Sequence, residues 1–163
     1  YPLPEAQIDR FMFKLLLDYP SKDEELAILE RMGAIDPSVS VDAVLAPEDL
    51  FRLRKVIDGI FLDDRLKRYL VDLVRATRHP GEYGLDLGPF IQLGASPRAT
   101  IYLGRGARAQ AFLSGRSFVL PQDIKDIAPD VLRHRISVTY EAEAEEITSD
   151  HLLAKILAHL PIP

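Results

Sequence analysis

Cysteine is absent from the 163-residue sequence, which excludes disulfides, thiolate chemistry and cysteine-based zinc sites. The four histidines are scattered, and no two have the i, i+4 spacing of a helical metal site, so we predict no bound metal. No apolar run reaches the roughly 18 residues needed to span a membrane, and no signal-peptide pattern opens the chain. These absences predict a soluble, cytoplasmic protein with no membrane partner.

A basic charge balance is also missing. The formal net charge is −5, whereas a dedicated nucleic-acid binder is usually basic or carries a basic stripe. Arg105, Arg108 and Arg116 do cluster near one predicted helix. We favour a solvated helix face over a nucleic-acid contact for these arginines, and nucleic acid is not the expected partner.

The N-terminal segment differs in character from the rest of the chain. It opens with Tyr1-Pro2-Leu3-Pro4 and not with Met, so we expect an excised piece whose two prolines exclude regular structure. Residues 11–17 form a short, almost wholly apolar run of the kind found in buried parallel strands. Because no second long run of this kind exists, we predict an orphan strand whose sheet belongs to a larger domain.

The remainder of the sequence is typical of a mainly α fold. Acidic residues follow Ser21 in the first turn of a predicted helix, where the helix dipole favours negative charge. A stripe of leucine and valine at helical spacing marks the core face of a later helix. The predicted helix starts are Ser21, Pro47, Asp63–Asp64, Ser96, Pro121 and Thr148 or Ser149.

Three segments between the helices carry weaker signals. Ile136, Val138 and Tyr140 alternate as a short strand would, and residues 118–120 are the only obvious partner for a small β-hairpin. Residues 80–94 are rich in glycine and are expected to form a functional or mobile loop. For the acidic run at 141–146 we favour a solvated linker over a docking patch for a partner.

The sequence contains no phosphate-binding glycine-rich loop that ends in Lys-Ser/Thr, and no nucleophile elbow. Any chemistry must therefore be contributed to a site built elsewhere. Arg98 stands out because Ser96 is the expected N-cap and Pro97 the first helical residue, which places an arginine where the helix dipole disfavours it. An anion at this helix start would reverse that preference; the alternative is an ordinary surface arginine.

Four segments resemble the MoxR family of AAA+ ATPases. Residues 1–11, Tyr-Pro-Leu-Pro-Glu-Ala-Gln-Ile-Asp-Arg-Phe, are similar to the segment that follows the sensor 1 strand in that family. Residues 94–99, Gly-Ala-Ser-Pro-Arg-Ala, resemble its sensor 2 motif. Residues 131–136 and 160–163 are also similar, and order and spacing match along essentially the whole chain.

The resemblance implies a division into residues 1–20, the tail of an AAA+ α/β core, and residues 21–163, a helical-bundle lid. It implies that the intact protein uses ATP and Mg²⁺ in an oligomeric ring, expected to be a hexamer, for chaperone-like remodelling, with a von Willebrand factor A domain protein as a possible partner. The Walker motifs are absent, so the chain alone is expected to be inactive and to hold no cofactor. The alternatives are a non-enzymatic helical adaptor and, less favoured, a DNA-binding helical module.

The resemblance also implies roles for two arginines. Arg10 is the expected arginine finger, which acts in trans on the nucleotide of a neighbouring subunit. Arg98 is the expected sensor 2 residue, which reaches the γ-phosphate of ATP in its own subunit. The alternative for Arg10 is a surface pair with Asp9 or Glu5, and for His134 a structural hydrogen bond is favoured over a role as a base.

Overall fold

The computed structural model describes residues 3–38 and 40–163; Tyr1, Pro2 and Val39, including the first two residues of the predicted irregular opening, lie outside it. The described chain is mainly helical. Its helices are α1 (Glu5–Ile8), α2 (Lys22–Met32), α3 (Pro47–Asp58), α4 (Asp64–Ala76), α5 (Pro97–Leu113), α6 (Pro121–Leu132), α7 (Tyr140–Ala144) and α8 (Ser149–His159). None of these helices combines the length and apolar character that crossing a bilayer requires.

The predicted helix starts are confirmed, and the capping residues explain them. The Ser21 hydroxyl accepts a hydrogen bond from the Glu24 amide at 3.4 Å, and the Glu24 carboxylate accepts one from the Ser21 amide at 2.8 Å. The Thr148 hydroxyl likewise caps α8 by accepting from the His151 amide at 3.3 Å. These bonds satisfy amide groups that have no partner within the helix.

The core lies among α4, α5, α6 and α8. Leu73, Leu103, Ile124, Leu132 and Ile156, one or two from each of these helices, are fully buried. The predicted apolar stripe of α4 is buried throughout. Burying side chains of this size from several helices at once supplies most of the stabilising free energy of such a bundle.

Helices α2 and α3 lie outside this core. Neither contributes a buried residue. Leu50, Leu53 and Ile57 recur at helical spacing along α3, yet Leu53 and Ile57 are only half-buried and Leu50 is 50% exposed. The apolar residues of α2 and α3 therefore lie in helices, as their spacing predicts, but they remain largely in contact with solvent.

The predicted orphan strand at residues 11–17 is wrong, because residues 11–12 form a bend and residues 13–17 have no regular secondary structure and join no sheet. Its backbone bonds instead to the end of α6 and the residues that follow: the Lys14 amide donates to the Asp130 carbonyl at 2.9 Å. Met12 and Phe13 approach Gly106 of α5. A strand would need the edge of another strand as its partner. Here the backbone of the segment bonds to the Asp130 carbonyl and to the side chains of Arg133 and Arg135 instead. The boundary between residues 20 and 21 stays a prediction.

A small antiparallel pair of strands is present, but with a different partner from the one predicted. β2 (Ser137–Val138) pairs with β1 (Ile91–Leu93), which lies inside the glycine-rich segment expected to be a loop. Phe118 forms an isolated parallel bridge with Phe61 instead. The acidic run expected to be a linker contains helix α7, whose N-cap is Thr139.

Candidate functional site

Arg98 lies in the first turn of α5, as the sequence predicted. The Ser96 hydroxyl accepts a hydrogen bond from the Arg98 amide at 3.2 Å, and Pro97 is the first helical residue. The Arg98 side chain is 43% exposed, and its Nη1 lies 2.8 Å from Oδ2 of Asp9. A carboxylate thus supplies the negative charge that makes an arginine acceptable at this end of a helix.

The carboxylate of Asp9 is the centre of the site. Its Oδ1 accepts from Nε of Arg135 at 3.0 Å and its Oδ2 from Nη1 of Arg98 at 2.8 Å. The Ser96 hydroxyl lies 2.9 Å from both oxygens. One carboxylate therefore joins the short helix α1 to the start of α5 and to the residues after α6.

Arg135 is the buried member of this network, with a side chain only 1% exposed. Its Nη2 donates to the Asp9 carbonyl at 2.8 Å and to the Phe11 carbonyl, and its Nη1 donates to the Met12 carbonyl at 3.3 Å. Its guanidinium also lies 5.1 Å from the centre of the Tyr102 ring. Burial lowers the pKa of Arg135 below its ordinary value, and the opposing effect of the Asp9 carboxylate is smaller.

Arg10 is exposed beside this network. Its carbonyl accepts from the Tyr102 hydroxyl at 3.0 Å, which ties the backbone of Arg10 to α5. Its guanidinium makes no ion pair with any residue in the described ranges, since Asp9 is occupied by two other arginines and the Glu5 carboxylate accepts from Ser137 at 3.0 Å. The surface pair considered as an alternative is therefore not formed, whereas the finger role stays a prediction.

The residues before Arg135 extend the attachment of the N-terminal segment. Arg133 donates to the Lys14 carbonyl at 2.6 Å and to the Asp150 carboxylate at 3.1 Å. Nε2 of His134 lies 3.1 Å from the Phe11 carbonyl oxygen, and burial lowers the pKa of the ring. His134 thus makes a structural hydrogen bond, in agreement with the favoured interpretation.

Sequence reasoning did not identify Arg135 as part of the site. It considered Asp9 only as a partner for Arg10, and the Arg-His-Arg run at 133–135 only as a point of resemblance. The available signal was that run itself, because three adjacent side chains with hydrogen-bond donors require several acceptors when they are buried. Local sequence does not reveal the acceptors in the N-terminal segment, because they lie about 120 residues away in the chain.

A cavity of about 300 Å³ opens beside the Asp9 carboxylate. Its polar lining consists of Glu5, Asp9, Ser96, His134, Arg135 and Ser137. Within residues 3–38 and 40–163, no three histidine or carboxylate side chains are grouped so that they could hold a metal ion. Glu5 and Asp9 make this cavity partly acidic and the Arg135 donors are already engaged, so the partly exposed Arg98 is the guanidinium of the site that can meet an anion. Mg²⁺ ligands would have to come from other residues.

The arginines considered for nucleic-acid binding are largely engaged within the fold. Nε of Arg108 donates to the Ile60 carbonyl at 3.1 Å. Arg116 forms a two-bond ion pair with the buried Asp123 carboxylate at 2.5 and 2.8 Å. Of the three, Arg105 is the exposed one.

Comparison with known proteins is consistent with this architecture. Residues 87–156 match the family model of the AAA lid domain. The whole chain is 42% identical to chaperone MoxR1 of Mycobacterium tuberculosis and 39% identical to the uncharacterized protein YeaC of Bacillus subtilis, covering 43% and 48% of those proteins. The chain thus spans about half the length of these relatives.

A solved structure extends the likeness to three dimensions. The crystal structure of a putative ATPase from Cytophaga hutchinsonii superposes with a TM-score of 0.95 at 43% identity, over the whole of this chain and 50% of that one. Agreement in fold and in sequence along the entire chain leaves no segment unmatched. Residues 87–156 thus carry an AAA lid domain, and the chain as a whole is similar to the MoxR family of AAA+ ATPases.

Proposed function

We propose that this chain is the lid portion of an ATP hydrolase that works as an oligomeric ring and remodels partner proteins. The observation that carries the proposal is the start of α5, where a Ser96-capped helix presents the partly exposed guanidinium of Arg98. A helix N-terminus together with an arginine is a binding arrangement for a phosphate group. The names of two relatives, a chaperone and a putative ATPase, support the same reading.

In this proposal Arg98 contacts the γ-phosphate of ATP bound in the same subunit. A hydrogen bond to a charged group contributes roughly 1.5–3 kcal/mol. Loss of the γ-phosphate on hydrolysis removes this contact, and a differential of that size shifts an equilibrium between open and closed positions of the lid. The lid would thus convert a change at the nucleotide into movement.

Arg10 is proposed to serve the nucleotide of the neighbouring subunit. Its guanidinium is exposed and has no ion-pair partner in the described part of the chain, so it is available to a second molecule. ATP, when bound, would supply the phosphoryl group that passes to water, and Mg²⁺ would neutralise the charge that develops on that group. A ring, with six subunits as the expected number, and a von Willebrand factor A domain protein as client follow from the family resemblance. A cytoplasmic location stays a prediction.

The test is Arg98→Ala in the full-length protein, with Arg105→Ala as the matched control on the same helix. We expect Arg98→Ala to weaken ATP binding by about tenfold, the equivalent of about 1.4 kcal/mol, and to lower turnover. Its thermal unfolding should stay close to that of the unaltered protein, because Asp9 keeps its pair with Arg135. An Arg98→Ala protein that melts lower but binds and hydrolyses ATP normally would show that Arg98 is only structural.

One observation favours a second candidate, the helical adaptor. The apolar faces of α2 and α3 are exposed, including Leu29, Phe51 and Val56, and exposed apolar surface of this kind can bind another protein. The two functions differ in their requirement for nucleotide. An adaptor would bind its partner equally well with and without ATP, and the full-length sequence would lack a Gly-Lys-Ser/Thr phosphate loop.

A further inference from the structure

Resting on the ATPase function proposed above, we propose that Asp9 is a positioning residue that controls Arg98. Its carboxylate holds the Arg98 guanidinium while the γ-phosphate is absent, and ATP must displace that carboxylate in order to engage Arg98. The ion pair between Asp9 and Arg98 therefore competes with nucleotide for the same arginine.

The two carboxylate oxygens of Asp9 bind different arginines. Oδ1 bonds to the buried Arg135 at 3.0 Å, whereas Oδ2 bonds to the partly exposed Arg98 at 2.8 Å. Asp9 is the carboxylate that pairs with Arg135 in the described part of the chain. Separation of Asp9 from Arg135 would leave a buried charge without a counter-ion, which is strongly unfavourable.

Arg98 can leave at much lower cost. Its side chain is 43% exposed, so water and a phosphate group can replace the lost carboxylate. Asp9 is only 20% exposed and stays bonded to Arg135 and to the Ser96 hydroxyl when Arg98 departs. The geometry thus has one fixed partner and one exchangeable partner around a single carboxylate.

The same arrangement links Arg98 to Arg10. Asp9 precedes Arg10 in the chain, and the Arg10 carbonyl is held by the hydroxyl of Tyr102, one turn beyond Arg98 on α5. Exchange of Arg98 between Asp9 and phosphate leaves these attachments in place. The backbone of Arg10 therefore stays attached to α5 when Arg98 changes partner.

The experiment compares ATP and ADP affinities of full-length protein carrying Asp9→Asn, using fluorescent nucleotide analogues. We expect ATP to bind about two- to fivefold more tightly, because a partly exposed ion pair no longer competes with it. ADP lacks the γ-phosphate, so its affinity should not change. The gain for ATP should disappear when Asp9→Asn is combined with Arg98→Ala.

Asp63→Asn is the matched control, because Asp63 also pairs with an arginine at a helix start, at 3.1 Å from Arg65. It should change neither affinity. Equal tightening for ADP, or tightening that persists beside Arg98→Ala, would overturn the proposed competition. If Arg98→Ala weakens ATP binding but Asp9→Asn has no effect, the competition is overturned and the sensor role of Arg98 stands. If Arg98→Ala also has no effect on ATP binding, the sensor role is overturned as well.

Asp9→Asn removes the counter-ion of a buried arginine and can unfold the protein, so a second measurement uses the unaltered chain. Crystal structures of the full-length protein with ADP and with a non-hydrolysable ATP analogue give the distance from Nη1 of Arg98 to Oδ2 of Asp9. We expect a distance close to 2.8 Å with ADP and more than about 4 Å, beyond ion-pair contact, with the analogue. An unbroken pair in both structures would overturn the proposal.

Discussion

Two charged residues far apart in the sequence organise the site. Arg135 is buried, and a buried guanidinium is tolerated only when its donors are bonded and its charge is balanced. The Asp9 carboxylate balances the charge, while the carbonyls of residues 9, 11, 12 and 131 accept the remaining donors. This explains how an N-terminal segment without a sheet is still held in one position.

At the same scale, Arg10→Ala should lower ATP turnover of the ring by on the order of 10³-fold or more, as removal of arginine fingers does in other nucleotide hydrolases. ATP affinity within one subunit should change little, because the finger role proposed for Arg10 places its action across the interface between subunits. Turnover and fluorescent-nucleotide binding of the full-length variant measure the two effects. The backbone contact to Tyr102 uses the carbonyl of Arg10 and does not depend on its side chain.

Mixed rings give the sharper form of this test. Subunits inactivated by Arg10→Ala are combined with subunits inactivated in their Walker B motif, so that some intact sites meet intact fingers. Partial activity should return, whereas either variant alone stays inactive. If rings shown to contain both subunits remain inactive, the action of Arg10 in trans is contradicted.

At the scale of elements, the turn that leads into α5 depends on close contact with the end of α4. The Thr77 hydroxyl accepts from the Ala95 amide at 2.9 Å and donates to the Val74 carbonyl at 2.7 Å. A Cβ atom on Gly94 would lie 2.3 Å from the carbonyl oxygen of Thr77. Only glycine fits here without backbone movement, and the position of Ser96 follows from this contact.

We therefore expect Gly94→Ala to destabilise the protein by about 1–3 kcal/mol, the usual cost of overpacking. That corresponds to a Tm lower by about 2–4 °C for each kcal/mol in a domain of this size. Gly81→Ala is the control, because nothing lies within 4 Å of the added methyl group. Calorimetric unfolding curves compare the two variants, and equal Tm values would show that the backbone at Gly94 can shift freely.

Helices and strands differed in how far local sequence could predict them. Ser21, Ser96 and Thr148 cap their helices as expected, because a cap depends on a residue and the amides two or three positions later. The strand pairing was wrong, since alternation at residues 136–140 shows that a strand can form but not which edge it meets. β1 lies more than 40 residues away in the chain.

At the scale of the whole molecule, the exposed apolar surface is unevenly distributed. The core helices bury most of their leucines, whereas residues 15–17 and helices α2 and α3 keep large apolar side chains in solvent. Exposed apolar side chains in such numbers are typical of a surface that contacts other protein. The apolar residues of α2 and α3 thus recur at helical spacing, but no segment of the described chain buries them.

We expect the isolated 163-residue chain to hydrolyse no ATP and to bind it weakly or not at all. The sequence lacks a phosphate-binding loop, and such loops together with Mg²⁺ provide most contacts to the β- and γ-phosphates in this class of enzyme. Titration calorimetry of the chain, with the full-length protein as the positive control, measures this. A Kd in the micromolar range for the isolated chain would contradict the expectation.

The sequence by itself determined helices α2 to α6 and α8, the Ser21, Ser96 and Thr148 caps, the apolar stripe of α4 and the position of Arg98 at a helix start, because each depends on residues within one or two turns. Tertiary structure decided that Asp9 joins Arg98 to Arg135, that residues 11–17 bond to side chains instead of a sheet, and that β1 pairs with β2. These outcomes depend on which donors and acceptors meet after the helices pack, and buried groups accept whichever partner best satisfies charge and hydrogen bonding.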